Sequence, residues 1–78
     1  MKVTKYSGEL VHYDEQKLIN SLRKSGAGLA MAEAIVKEIE SEMYEGISSK
    51  RIYKRAYQLL KNISNVHAAR YNLRSALL

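Results

Sequence analysis

Residues 1–19 constrain the fold most, because they are typical of a β-hairpin that runs directly into a helix. Residues 3–6 and 9–13 are rich in β-forming side chains and are separated by Ser7-Gly8. A glycine can adopt the positive φ that a tight hairpin needs. The sequence therefore predicts a strand, a turn and a second strand before the first helix begins.

The start of that helix is marked by Asp14, whose carboxylate can accept hydrogen bonds from the free N–H groups two and three residues later. Tyr13 and Leu18 occupy the two positions of a hydrophobic staple. This arrangement brings Lys5 on its strand and Lys17 in the first helical turn near the same helix N-terminus. Free N–H groups and the helix dipole already favour negative charge there, so the two lysines predict an anion site.

Apolar residues recur at helical spacing through the rest of the chain and predict four helices in total. The first spans about residues 15–24, the second begins near Leu29 or Ala30, and the third follows Ser48 or Ser49, either of which can cap it. The predicted buried positions after the first helix are Ala32, Ile35, Val36, Ile39 and Met43, then Ile52, Ala56, Leu59, Leu60 and Ile63, then Val66, Ala69, Leu73, Ala76 and Leu77.

Length and composition limit the classes of protein that the chain can represent. Its 78 residues suffice for one domain with a single modest core. It has no cysteine, no apolar signal segment and no stretch long enough to span a membrane, so we expect a cytoplasmic location without membrane partners. The formal net charge of +5 favours anionic partners without identifying them.

Catalytic and metal-binding constellations are not evident in the sequence. His12 and His67 are the two histidines, and neither has a second ligand at i+3 or i+4. The acidic residues of the second helix are spread along one face, no serine lies in a nucleophile elbow, and no glycine-rich phosphate loop is present. We therefore expect neither a metal site nor enzymatic activity from this domain.

A series of motifs occurs along the chain in an order that carries a family resemblance. It opens with Val3, Lys5, Gly8, Tyr13-Asp14 and Lys17-Leu18-Ile19. It continues with Glu45-Gly46-Ile47-Ser48-Ser49 and Ile52, and ends with Ala68-Ala69-Arg70-Tyr71. The series resembles the ATP-cone domain, a small regulatory nucleotide-binding module found at the N-terminus of ribonucleotide reductases and in the repressor of their operons.

The resemblance implies an α+β fold in which a small three-stranded sheet caps a four-helix bundle. The third strand would be a short segment around Ile47, added to the N-terminal hairpin. ATP-cones are usually N-terminal attachments, and the last helix here is most similar to the cone that precedes a restriction-endonuclease-like domain. We therefore expect residues 1–78 to be the N-terminal piece of a longer protein, and nucleic acid is a possible partner of that parent protein.

The resemblance also implies a ligand and its binding residues. The ligand is ATP or dATP, with Mg²⁺ as its counterion, and a change of oligomeric state reports its binding. The family pattern places nucleotide contacts at Val3, Lys5, Asp14, Lys17, Leu18 and Ser49. In this reading Lys5, Lys17 and Ser49 meet the phosphates, Val3, Leu18 and Ile52 hold the base, and Asp14 accepts from the adenine amino group. Tyr53 falls where other members carry a ring near the nucleotide.

Two positions depart from the family pattern. Tyr6-Ser7 replaces an Arg-Asp pair and removes one bidentate phosphate donor. We expect Tyr6 to stack or hydrogen-bond instead, and Arg70 or Arg74 on the last helix to restore the charge. Val11 stands where some members have an acidic residue that helps to read the base.

Other interpretations of these residues stay open on the sequence alone. Without the family pattern, Lys5 and Lys17 are ordinary surface lysines and Asp14 is a simple cap. The third helix carries five cations and two tyrosines, a pattern that also suits nucleic-acid binding; these are Lys50, Arg51, Lys54, Arg55 and Lys61, with Tyr53 and Tyr57. A third possibility is a degenerate cone that serves as a protein-interaction module.

Overall fold

Five short elements follow one another in the predicted order. The computed structural model describes residues 1–63. The elements are β1 (Lys2–Thr4), β2 (Leu10–His12), α1 (Glu15–Lys24), α2 (Leu29–Glu42) and α3 (Ser49–Ile63). The helices pack in sequence, with α1 against α2 and α2 against α3. The predicted α+β class is confirmed.

The N-terminal hairpin forms as predicted. β1 pairs antiparallel with β2 in a register that sets Val3 opposite Val11. Two backbone hydrogen bonds of 2.9 Å close the loop, from Lys5 N to Glu9 O and from Gly8 N to Lys5 O. Gly8 has a φ of +87°, a conformation that residues with a Cβ rarely adopt. A glycine is therefore needed at this turn.

The predicted third strand does not form. Segment 44–48 meets β1 through backbone hydrogen bonds of 2.9 Å from Thr4 N to Ile47 O and from Gly46 N to Lys2 O. The pairing amounts to a single parallel bridge. A turn at Gly46, with a φ of +84°, precedes this bridge and α3 begins directly after it, so too few residues are extended to continue a ladder. Within residues 1–63 the sheet is two-stranded, and the prediction of three strands is wrong.

Hydrogen bonds and backbone conformations close to each terminus set both ends of α1. Asp14 Oδ1 accepts from the backbone N–H of Lys17 at 3.2 Å, as expected of an N-cap. At the other end, Gly26 has a φ of +106° and its N–H donates to the carbonyl of Arg23 at 2.9 Å. Ser25 is fully buried, and its hydroxyl donates to a backbone carbonyl one turn earlier at 3.2 Å. The predicted bounds of α1 are confirmed.

The start of α3 distinguishes between the two serines that can cap it. Ser48 Oγ accepts from the backbone N–H of Arg51 at 3.1 Å. Ser48 is therefore the N-cap and Ser49 is the first helical residue. This assignment leaves the Ser49 hydroxyl available for another partner.

A single core joins β1, segment 44–48 and the apolar faces of the helices. Its members are Val3, Leu18, Ile19, Leu22, Ala27, Ala32, Ile35, Val36, Ile39, Ile47, Ile52, Ala56 and Leu60. Burying each large aliphatic side chain contributes about 1.5–3 kcal/mol. Met43 and Leu59 are partly buried against this core. Ile63, in the last turn of α3, is 55% exposed, so the prediction that it is buried is wrong.

The predicted fourth helix lies outside the described residues. Arg70 and Arg74, which the sequence analysis places near the nucleotide phosphates, fall in the same part of the chain. Within residues 1–63 the structure has three helices, α1, α2 and α3.

Candidate functional site

A hollow of about 620 Å³ opens between the hairpin and the first turns of α1 and α3. We call it the N-terminal hollow; its walls come from segments 3–7, 11–18 and 49–53. The structure brings together around it all the predicted site residues that it describes, namely Val3, Lys5, Tyr6, Asp14, Lys17, Leu18, Ser49, Ile52 and Tyr53. Segments far apart in sequence thus share one concave surface.

Backbone pairing on both sides of β1 explains why these segments meet. The N–H of Tyr13 donates to the carbonyl of Met1 at 2.9 Å, which fixes the approach to α1 beside the start of β1. The Thr4 hydroxyl donates to the carbonyl of Gly46 at 2.8 Å, which fixes the approach to α3 beside the end of β1. The N-termini of the two helices therefore reach the hollow from opposite sides of one strand.

Lys5 and Lys17 supply positive charge to the hollow. Backbone hydrogen bonds position both residues, from Lys5 N to Glu9 O at 2.9 Å and from Lys17 N to Asp14 Oδ1 at 3.2 Å. Within residues 1–63, no hydrogen bond or ion pair engages either side-chain ammonium. Both ammonium groups are therefore available to an anion.

The first turn of α3 adds uncharged donors. Ser49 is the first residue of α3, and no hydrogen bond within residues 1–63 engages its hydroxyl. The first N–H groups of a helix lack intrahelical partners, and the helix dipole makes this end attractive to anions. Ser49 lines the hollow, so α3 can contribute to the same anion site as the lysines.

The apolar wall of the hollow is also part of the core. Val3, Leu18 and Ile52 are 7%, 4% and 5% exposed and belong to the core cluster. Val11 is partly buried and lines the hollow beside them, since it pairs with Val3 across the hairpin. Because the three core residues are almost fully covered, the apolar surface open to a ligand comes mainly from the partly buried Val11, Tyr13 and Tyr53 beside them.

Asp14 combines capping with a free hydrogen-bonding capacity. Its Oδ1 accepts from the N–H of Lys17. A carboxylate has about four acceptor sites, so the same side chain can accept from a ligand amino group while it caps α1. Asp14 is exposed and lines the hollow.

Two tyrosine rings stand at the side of the hollow where the hairpin loop approaches α3. Tyr6 is 63% exposed, whereas Tyr53 is partly buried against the core. Burial raises the pKa of the Tyr53 phenol, and the neighbouring Tyr6 raises it further. Both side chains line the hollow, so both rings can contribute to its surface.

Tyr13 fixes the hairpin–helix junction to α2. Its hydroxyl donates to Glu40 Oε2 at 2.9 Å. Burial, followed by this hydrogen bond, raises the pKa of the Tyr13 phenol above its usual range. Tyr13 lines the hollow, and its anchoring role means that the wall is held by α2 as well as by the core.

Three residues that line the hollow were not predicted from the sequence, namely Ser7, His12 and Tyr13. Val11, which the family pattern marks as a position that reads the base, lines the hollow as well. The hairpin register carries a signal for His12, because it pairs Lys2 with His12 next to the pair of Val3 and Val11. Counting outward from the Gly8 turn would have placed His12 beside the predicted site.

Metal ions and membranes are further partners to be considered for residues 1–63. These residues contain no group of three His, Cys, Asp or Glu side chains placed to hold a metal ion. None of their helices has the length and apolar composition to cross a bilayer.

Comparison with known families assigns the fold that surrounds this hollow. A family model of the ATP cone domain matches residues 1–75. No curated protein matches the chain significantly. ATP cone domains are regulatory modules that bind nucleotides and are not catalytic by themselves. The match covers nearly the whole sequence, and the chain therefore belongs to the ATP cone domain family.

Proposed function

We propose that the N-terminal hollow binds ATP or dATP reversibly, without hydrolysing it, and that its occupancy controls an attached domain or the oligomeric state. One observation carries this proposal. Lys5, Lys17 and the N-terminal turn at Ser49 come from different parts of the sequence and surround one hollow. That convergence of two cations and a helix N-terminus suits a triphosphate in a regulatory nucleotide-binding family.

In this proposal the phosphates lie at the cationic side of the hollow. The ammonium groups of Lys5 and Lys17 act as point charges on phosphate oxygens. Ser49 donates its hydroxyl, and the N-terminus of α3 adds backbone N–H groups and the positive end of the helix dipole. Tyr6 takes the place of the arginine common in the family and hydrogen-bonds or stacks, and Arg74 adds a phosphate contact from beyond the described residues.

The purine lies against the apolar wall. Val3, Leu18 and Ile52 contact its faces, and Asp14 accepts from the adenine amino group. Tyr53 covers the remaining side. A hollow of about 620 Å³ falls within the range of roughly 300–1,000 Å³ that is usual for small-molecule sites. Size, wall and polar groups are therefore compatible with a nucleotide.

The described groups around the hollow support binding without hydrolysis. Asp14 is the carboxylate among the described lining residues, and it already caps α1. We propose that Mg²⁺ accompanies the nucleotide through its phosphate oxygens, since Mg²⁺ commonly binds through substrate phosphates. Regulation then requires that the nucleotide bind one arrangement of the whole protein more tightly than another.

Thermal unfolding of the 78-residue chain tests the proposal. A ligand that binds the native state must raise the melting temperature, so ATP with Mg²⁺ should raise it by several degrees. The combined substitution Lys5→Ala and Lys17→Ala should abolish that rise. Lys37→Ala removes a charge from the middle of α2, away from the hollow, and should leave it intact.

Two results would contradict this assignment. If the combined variant responds to ATP as the parent does, the lysines do not hold the phosphates. If neither ATP nor dATP raises the melting temperature of the parent, the interaction-module interpretation replaces nucleotide binding.

A further inference from the structure

A second concave surface lies on the other side of α3. We call it the basic groove; Arg51, Lys54, Arg55 and Gln58 of α3 line it, together with Glu42 and Tyr44, and its volume is about 490 Å³. The four α3 positions lie about half a turn around the helix from Ser49 and Tyr53. The cations that the sequence analysis noted on this helix therefore do not all serve the N-terminal hollow.

The floor of the basic groove offers little apolar surface to a partner. Ile39, Ile47 and Ile52 form it and are 2%, 6% and 5% exposed. An apolar side chain placed there would remove almost no hydrocarbon surface from water. The accessible groups are those of the charged and polar rim, so the groove suits a partner recognised by charge and hydrogen bonding.

Part of the charge in the groove is already neutralised. Arg55 donates to both carboxylate oxygens of Glu42, at 2.9 Å and 3.0 Å. Arg51 donates one N–H to the hydroxyl of Tyr44 at 3.1 Å, which leaves its other donors free. In the described part of the chain, no carboxylate contacts Lys54 or Arg51. These two residues carry the net positive charge of the groove.

The unneutralised cations follow one face of the helix. Arg51 and Lys54 are three residues apart, so their Cβ atoms are neighbours at about 5–6 Å. Gln58 and Lys61 continue the same face, which extends the polar stripe to roughly 15 Å. A row of donors of this length suits a linear anion with repeated charges better than a single carboxylate.

The exposed ring of Tyr44 favours one kind of linear anion, a nucleic acid, over an acidic peptide. It is 51% exposed and its hydroxyl is held by Arg51. An exposed ring beside phosphate-binding cations is the arrangement on which unpaired bases stack. A peptide carboxylate would gain nothing comparable from it.

We propose that the basic groove binds the phosphate backbone of single-stranded nucleic acid, with Arg51 and Lys54 on phosphates and Tyr44 stacked on a base. This activity is separate from nucleotide binding in the N-terminal hollow, because the cations of the two sites are different. The chain can therefore hold a nucleotide and a nucleic-acid strand on opposite sides of α3.

Fluorescence anisotropy of a labelled oligothymidylate with the 78-residue chain tests this proposal. The logarithm of the association constant should fall with the logarithm of salt concentration, with a slope of roughly −1.4 from two phosphate contacts. The combined substitution Arg51→Ala and Lys54→Ala should weaken binding at least tenfold. Lys37→Ala, and the combined Lys5→Ala and Lys17→Ala variant, should bind as the parent does.

A matched pair at Tyr44 tests the stacking contact. Tyr44→Ala should weaken oligonucleotide binding by roughly tenfold, as expected for loss of one stacked base. Tyr44→Phe keeps the ring and should bind nearly as tightly as the parent. A cooperative thermal transition at a melting temperature close to that of the parent should persist in the Arg51→Ala and Lys54→Ala variant, which shows that the variant is folded.

The proposal is overturned if that variant binds the oligonucleotide as tightly as the parent does. It is also overturned if polyglutamate binds equally well at the same salt concentration and is lost with the same substitutions, which would indicate an acidic protein partner. Competition by free ATP in the groove, or tighter binding of duplex than of single strands, would likewise contradict it. None of these results depends on whether the N-terminal hollow binds ATP.

Discussion

The N-terminal hollow and the basic groove flank the same helix but differ in what they offer a ligand. The hollow combines unpaired lysines and a helix N-terminus with an apolar wall that the core holds rigid. The groove places charged groups above a closed floor and neutralises one of its arginines internally. The hollow can therefore select a ligand by shape and charge together, whereas the groove selects by charge and one aromatic ring.

The largest expected difference concerns the apolar residues of the two surfaces. Leu18→Ala and Ile39→Ala each truncate a side chain that is 4% or 2% exposed, so each should lower the unfolding free energy by about 2–5 kcal/mol. Leu18→Ala should in addition weaken ATP binding, because Leu18 lines the hollow. Ile39→Ala should not. Chemical denaturation with and without ATP measures both effects.

A surface control accompanies this pair. Ile63→Ala alters a side chain that is 55% exposed and should change the unfolding free energy by less than about 0.5 kcal/mol. Equal loss of ATP affinity in the Leu18 and Ile39 variants would mean that destabilisation, and not the wall of the hollow, weakens binding.

Adjacent serines at the start of α3 give a second comparison. Ser48→Ala removes the N-cap hydroxyl that accepts from Arg51 N and should cost about 1 kcal/mol of stability. Ser49→Ala leaves the cap intact and should change stability little but weaken ATP binding. Thermal unfolding and calorimetric titration separate the two. The assignment of Ser49 to the phosphates is contradicted if its alanine variant binds ATP unchanged.

Tyr13 tests how firmly the wall of the hollow is anchored. Tyr13→Phe removes the hydrogen bond to Glu40 and should cost about 0.5–1.5 kcal/mol. The pKa of the Tyr13 phenol is raised in the folded state, so this residue stabilises the fold below pH about 10, the unfolded value. That contribution is lost as the pH rises further. Ultraviolet absorbance should show two tyrosines, Tyr13 and Tyr53, that ionise later than the others among residues 1–63 in the parent, and only Tyr53 in the variant.

The smallest expected effect concerns the ion pair in the basic groove. The hydrogen bond from Arg55 lowers the pKa of the Glu42 carboxyl, so Glu42 stabilises the fold above its unfolded pKa and loses this effect as the pH falls through the folded value. Glu42→Gln should reduce the loss of melting temperature on acidification to about pH 3, relative to the parent. The substitution should also remove the negative charge that neutralises Arg55 and tighten oligonucleotide binding at neutral pH.

Comparison with the parent is needed because Glu15 affects the pH dependence of stability in the opposite sense to Glu42. Hydrogen bonding to Glu40 raises the pKa of the Glu15 carboxyl, so its contribution is present at low pH and is lost as the pH rises. The difference between the parent and Glu42→Gln cancels this contribution. An identical acid dependence in both proteins would show that the ion pair does not stabilise the fold.

Local chemistry explains why the helices could be predicted. Asp14 and Ser48 cap their helices through side-chain hydrogen bonds to residues three positions later, and Gly26 ends α1 with a positive φ. Each of these signals lies within a few residues of the boundary that it sets. The prediction of a third strand failed for a different reason. The extended length of segment 44–48 is limited by the turn at Gly46 and by the immediate start of α3.

The site could be predicted only in part from local patterns. The spacing of Lys5 and Lys17 around a helix start indicates an anion site, but Ser49 and Tyr53 join them through the pairing of Thr4 with segment 44–48. That pairing connects residues more than forty positions apart and leaves no periodic signal. The family pattern supplied this information. The neutralisation of Arg55 by Glu42 likewise joins two helices and was not predicted.

Amide chemical shifts in ¹⁵N-labelled protein during an ATP titration test the central claim most directly. The account predicts the largest changes at Lys5, Lys17 and Ser49, around the N-terminal hollow, and small changes at Glu42 and Gln58, in the basic groove. Changes concentrated at the groove residues, with those around the hollow unaffected, would contradict it.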